Sequence, residues 1–335
     1  MERPRHRHGF ARVELAATLA ISLVIIAVLL PMSDRQRRLA RLGIDMASLR
    51  QIGEWTGQYA ADSGDRIWTF SWQAGVLPLP PGDPAAAGLP TTAVNDLQAA
   101  QIQATYIARK RSGQYSWPVP GGWIAHPAYS QFALAEHLGL ELPVRQFVSS
   151  ADPLRRQWAE DPAGYVAGAY VPNLGTGTGN WRHAYSANFR LPAALFDRSA
   201  AGSRVSPGSN TGTTITPGNA LLTGNVLTSA TYPSQKVLVS DTHARHFSAV
   251  AWYATDANAR LPLAFVDGHA STRSAADANR GGDPNTGQFS SIPYIPSVVE
   301  PPASAAGYTV PMGFFWTQNR LQGRDFGGPQ PAFVP

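Results

Sequence analysis

The sequence predicts an α+β protein built on one long N-terminal helix. Three observations carry that reading. Residues 15–32 run for 18 positions without a formal charge, at the lower end of what a membrane-spanning helix needs. An apolar stripe at three- and four-residue spacing then continues through Leu39, Leu42, Met46, Leu49, Ile52, Trp55 and Tyr59. Further along, the short β-branched run 236–240 and the alternating segments around Asp267-Gly268 read as strands and a hairpin.

Taken in order, a short arginine-rich leader ends at Gly9-Phe10, and Glu14 stands just inside the apolar run. A carboxylate at the membrane end of such a segment is costly unless it is paired, so Glu14 asks for a functional explanation. Pro31 removes one backbone donor and crowds the carbonyl of Ala27, which predicts a kink or local melting. Residues 33–61 continue the helix until Asp62-Ser63-Gly64-Asp65 stops it, giving one helix of about 50 residues, half in lipid and half on a core.

In the remainder, residues 94–111 and 128–138 read as helices. Residues 153–160 read as a short helix after a strand at 145–149. Residues 172–220 are rich in Gly, Thr, Asn and Pro and read as long surface loops interrupted by the aromatic stretch 181–196. Gly175-Thr176-Gly177-Thr178-Gly179 neither follows a strand nor opens a helix, so it reads as a loop rather than a phosphate cradle. Residues 263–266 and 269–272 should pair across a tight two-residue turn at Asp267-Gly268.

The N-terminal pattern resembles the signal of type IV prepilins and type II secretion pseudopilins. The residues that carry it are Gly9, Phe10, Glu14, the apolar run and Pro31. The resemblance implies cleavage after Gly9 by a prepilin peptidase, N-methylation of Phe10, and pairing of Glu14 with the new ammonium of a neighbouring subunit. It implies a pilin-like fold, a long helix packed on an antiparallel head with long loops. The divisions are then a leader at 1–9, a transmembrane and pilin helix at 10–62, and an exterior head at 63–335. Residues 49–53 with Tyr59 and Asp62 are similar to a segment of large prepilin-like proteins. The Asp267-Gly268 hairpin is similar to their C-terminal element, in which a His precedes Asp-Gly with nine residues between them; here that position is Ala257. Residues 314–317 and 323–328 also look like the tail of this group.

Composition narrows the classes further. There is no cysteine, which removes disulfide and thiol chemistry. Of the net charge of +5, the leader contributes Arg3, Arg5 and Arg7 against Glu2, so removing it leaves +3 before the new N-terminus is counted. Arg35, Arg37, Arg38 and Arg41 balance the leader arginines across the apolar run, and lipid headgroups explain them as well as DNA does. The cluster Arg109-Lys110-Arg111 reads as a solvated patch, and no nucleic-acid recognition motif accompanies it.

In the head, Asp241, His243 and His246 near Asp267 and His269 suit a transition metal if their strands are neighbours. The plainer reading is an Asp-Gly turn with histidines at strand ends. No nucleophile-elbow serine motif is present, and the reading is of a non-enzyme. The expected partners are prepilin peptidase, other pilin or pseudopilin subunits, an inner-membrane assembly platform and the bilayer. The expected location is single-pass in the inner membrane, N-terminus cytoplasmic and head exterior. The alternative is a signal-anchored metal-binding module or hydrolase using Asp241, His243, His246, Asp267 and His269.

Overall fold

Helix α1 spans Arg12–Asp62, 51 residues without interruption. A computed structural model describes residues 12–120, 127–170, 179–192, 195, 205–206, 214–215, 224–241, 243–247, 251–252, 258–279, 292–294, 308–310 and 320–327. Gly9 and Phe10 lie outside these residues. Pro31 lies within α1, but its side chain, like those of 28–32 as a whole, is outside the described set, and so is the expected kink there.

The two halves of α1 differ in what they touch. Leu15, Leu19, Ile21, Leu23, Val24, Ile25 and Ile26 are all at least half exposed. From Leu42 onward one face turns inward, with Leu49 and Ile52 fully buried and Met46, Trp55 and Tyr59 packed against the same core. The expected stripe is present except at Leu39, which is exposed; among the described residues the first hydrogen bond from the head to α1 is at Arg41, whose carbonyl accepts from Ser150 Oγ at 2.9 Å. Among the described residues, no helix is long and apolar enough to cross a membrane. At its C-terminal end α1 closes as expected: Gly64 and Asp65 both take positive φ, and Asp65 N–H donates to the Ala60 carbonyl at 2.7 Å.

A first ribbon pairs β1 (Gly75–Val76) with β2 (Thr92–Ala93). Helix α2 (Asp96–Ser112) starts at Asn95, whose side chain accepts from Gln98 N–H at 2.9 Å, and ends at left-handed Gly113. Helices α3 (Gln131–Leu138), α4 (Pro153–Glu160) and α5 (Pro162–Val166) follow. The strand expected at 145–149 is instead a 3₁₀ turn, Arg145–Phe147. Its backbone is used locally and by a loop: the Phe147 carbonyl accepts from Asn188 and Phe189 N–H, and Ser149 N–H donates to the Asn188 side chain.

Short ribbons pair β3 (Val205–Ser206) with β4 (Thr214–Ile215), β6 (His243–Ala244) with β7 (Ala251–Trp252), and β10 (Ile292–Tyr294) with β11 (Tyr308–Val310). The main sheet is antiparallel, in the order β5 (Val237–Ser240), β8 (Arg260–Phe265), β9 (Ala270–Ser274). Its central strand lies against α1, and Leu238, Val239 and Ala264 share the core with Leu49 and Ile52. The protein is therefore α+β, with a long helix laid on an antiparallel sheet. The expected strand at 236–240 is present.

The β8–β9 hairpin has one more loop residue than expected. Phe265 pairs with His269, and Val266, Asp267 and Gly268 form the loop, with Gly268 N–H donating to the Phe265 carbonyl at 2.9 Å. A two-residue type I′ turn needs positive φ at both central residues, yet Gly268 (φ 86°) alone supplies it here. The left-handed glycine lets the strands close with a bulge.

This turn sits on Gly53. A Cβ at Gly53 would lie 3.1 Å from the Gly268 carbonyl oxygen and 3.3 Å from its Cα, so helix and hairpin meet backbone to backbone. Two segments singled out separately, 49–53 and Asp267-Gly268, are thus one contact. Gly53→Val is expected to lower stability by about 1–3 kcal/mol through overpacking. Gly57, with open space around its Cβ position, provides the control. Gly57→Ala should raise stability by about 1 kcal/mol through helix propensity alone. Denaturant midpoints of the full chain in detergent micelles check both signs.

Candidate functional site

The candidate site is α1 with the surfaces that hold it. Glu14 is exposed in the first turn of the helix, one turn before Thr18, whose hydroxyl donates to the Glu14 carbonyl at 2.8 Å. At the other end, His137 on α3 bonds Asp62 at 3.1 Å, and Trp68 Nε1 donates to Thr56 Oγ1 at 2.8 Å, with Thr56 closing on the Ile52 carbonyl.

Between them lies a buried polar clasp. Asp45 interrupts the apolar face of α1 and is 1% exposed. Its carboxylate accepts from Ser149 Oγ at 2.5 Å and Ser150 N–H at 2.7 Å, and contacts His246 Nε2 at 2.9 Å. A buried carboxylate without such donors would cost several kcal/mol, so these three groups keep the helix in one register. The clasp continues into a second cluster. Ser149 N–H bonds Asn188 Oδ1, and Asn188 Nδ2 donates to Asp152 Oδ2 at 2.8 Å. Asp152 also pairs with Arg155 and Arg245, both at 3.2 Å, and Arg245 pairs with Asp241 at 2.7 Å. Burial alone would raise the Asp152 pKa, but Arg245, Arg155 and the Asn188 and backbone hydrogen bonds outweigh it and hold the carboxyl well below the usual range. Nearby, burial lowers His183 to about 3, and the Arg182 and Arg155 charges act in the same direction.

The five metal candidates are distributed among these contacts. Asp241 serves Arg245 and the His243 N–H. His246 serves Asp45. Asp267 and His269 pair with each other at 2.6 Å in the exposed hairpin loop, where the His269 ring stacks on Phe265 at 4.2 Å. His243 is buried on β6. Among the described residues no three His, Asp or Glu side chains are grouped to hold a metal ion, so the expected convergence on one sheet edge is not seen. Their partners differ: Asp241 is taken by Arg245, His246 by Asp45, and Asp267 by His269 in the hairpin loop.

Other segments also take definite places. Arg109, expected in a solvated patch, is buried and donates to the carbonyls of Trp117, Ala85 and Ala87. Lys110 and Arg111 both pair with Glu136 on α3. Within the loop-rich stretch, 181–192 is mostly core rather than surface, with Trp181 stacked on Trp117 at 4.4 Å. The glycine-threonine run 175–178 lies outside the described residues. In the tail, Asp325 forms a fully buried pair with Lys236 at 3.0 Å and accepts from Val237 N–H. Phe326 packs edge-on against Phe265.

The sequence reading missed Asp45, Asp152, Arg245 and Lys236–Asp325. Asp45 alone had a legible signal, a charge at helical spacing between Leu42 and Leu49 on the buried face. Comparison with family models, with curated proteins and with solved structures finds no match to this chain.

Proposed function

We propose that this chain is a prepilin-like structural subunit, processed after Gly9 and assembled into a type II secretion pseudopilus or a type IV pilus-like fibre. The observation that carries the reading is the division of α1. One continuous helix leaves the apolar side chains of its first half exposed and commits its second half to an antiparallel α+β head. A free apolar half-helix calls for a covering medium, either lipid before assembly or neighbouring copies after it. Glu14 in that apolar face selects docking register, because a carboxylate surrounded by hydrocarbon is costly until it meets the Phe10 ammonium of another subunit. The head is exterior, and its role is mechanical and interactive rather than catalytic. Prepilin peptidase, other subunits and an inner-membrane platform are the partners this requires.

The metal-module or hydrolase alternative is less favoured, since Asp241 serves Arg245 and a backbone donor while Asp267 pairs with His269 in the hairpin loop.

The test is co-expression with a prepilin peptidase and mass spectrometry of the N-terminus. The mature end is expected to be N-methyl-Phe10, and Gly9→Ala should leave Met1 in place. An intact Met1 in the unaltered chain, while a control prepilin is processed, overturns the reading. Glu14→Ala should still insert in the membrane yet fail to enter a fibre; unchanged incorporation removes Glu14 from the mechanism.

A further inference from the structure

We propose that the base of the head carries a docking groove for anionic lipid headgroups, formed by Arg41, Arg145 and Arg156. This inference rests on the membrane-anchored reading above. It names a second surface, outside the helix, that meets the bilayer.

The groove has a volume of about 420 Å³ and lies where α1 meets the 3₁₀ turn at Arg145–Phe147 and helix α4. Ile44 and Gln146 line it together with the three arginines and Glu160. All three arginines are exposed. Arg156 has a partly solvated pairing with Glu160 at 3.5 Å. Among the described residues, the side chains of Arg41 and Arg145 have no acidic partner. Three guanidinium groups thus face one carboxylate, and the excess charge suits phosphate, which guanidinium binds in a bidentate fork.

Position identifies the source of that phosphate. Arg41 follows Met32 by nine residues, about 13 Å along a helix. The polar layer of a bilayer leaflet is itself about 5–7 Å deep. Helical side chains lean toward the N-terminus, so Arg41 reaches back toward the headgroups. Arg35, Arg37 and Arg38 fill the interval on the exposed helix surface and extend the same basic face. Among the described residues the head's first hydrogen bond to α1 is at Arg41, through Ser150, and Arg145 and Arg156 line the same groove beside it. A basic side chain at an anionic surface gains about 1 kcal/mol, about fivefold in occupancy.

The experiment is arginine footprinting with phenylglyoxal on the full chain in nanodiscs of phosphatidylcholine, with or without phosphatidylglycerol, read by mass spectrometry. Arg41, Arg145 and Arg156 should react about fivefold more slowly in the anionic discs. Exposed Arg66, beyond the far end of α1, should not change. Arg145→Glu combined with Arg156→Glu should return Arg41 to its rate in neutral discs. Equal rates in the two lipids overturn the proposal. Inorganic phosphate that protects the three arginines equally in neutral discs overturns it in favour of a soluble-anion site. Protection that follows protein concentration overturns it in favour of contact between copies. Insertion is scored separately by co-elution with lipid. A chain that does not insert sinks both readings, insertion without lipid-specific protection sinks only the groove, and protection without N-terminal processing sinks only the fibre subunit.

Discussion

Asp152→Ala is expected to lower the stability of the head by about 3–5 kcal/mol, the usual cost of removing one partner from a buried ionic cluster. Arg155 and Arg245 would each lose the Asp152 carboxylate, while the Arg245–Asp241 pair would stay. Asn188 Nδ2 would lose the acceptor that fixes its amide, whose Oδ1 accepts from Ser149 N–H, so the loosening should reach the clasp on Asp45. Denaturant midpoints of the full chain, followed by tryptophan fluorescence, give the magnitude. A change within experimental error would mean that the cluster is spectator chemistry.

The same cluster predicts a pH dependence with a definite sign. The Asp152 carboxyl is held below its unfolded value, so its stabilisation is complete above about pH 4 and is lost as pH falls further. His183 acts in the same direction from a higher starting point. Its folded pKa of about 3 lies below the unfolded value near 6.5, so the buried neutral ring loses stability as pH falls through that interval. Stability should therefore decline in two stages on acidification. His183→Gln should remove the upper stage, and Asp152→Asn the lower.

Asp325→Ala is expected to have an effect of similar size, about 3–5 kcal/mol, because Lys236 would remain buried without its carboxylate. Burial already lowers the Lys236 pKa, and Asp325 opposes that shift. Val237 N–H would lose its acceptor at the first residue of β5, so this edge strand should loosen on β8 as well. Combining Lys236→Met with Asp325→Leu should recover much of the loss, since a buried pair replaced by packed apolar groups is often neutral. Failure of the double variant to recover would assign the loss to the Val237 bond rather than to the charge.

Much of the architecture was legible because it follows from local rules. The length of α1, its stop at residues 62–65 and the strand after Lys236 all rest on periodicity and turn residues. The hairpin was legible too, but its loop was read one residue short: Asp-Gly is compatible with a type I′ turn, and only the backbone shows that Gly268 alone turns left-handed. Residues 145–149 show the opposite failure. A strand was expected there, yet among the described residues no strand pairs with them, and the Phe147 carbonyl and Ser149 amide bond to the loop at 188–189 instead.

The sequence by itself determined the division of the N-terminal helix into an apolar half and an amphipathic half, together with the Gly9, Phe10, Glu14 and Pro31 pattern on which the functional proposal rests. Each of these lies within one stretch of chain and depends on composition and spacing alone. Only the tertiary structure decided the fate of the ionisable residues in the head. Asp45 and His246 are 201 positions apart, and Lys236 and Asp325 are 89 apart. Spacing carries no information about such encounters, because they depend on which elements pack together. That packing gave Asp241 to Arg245, and it set Gly53 against Gly268 so that the helix lies flush on the hairpin.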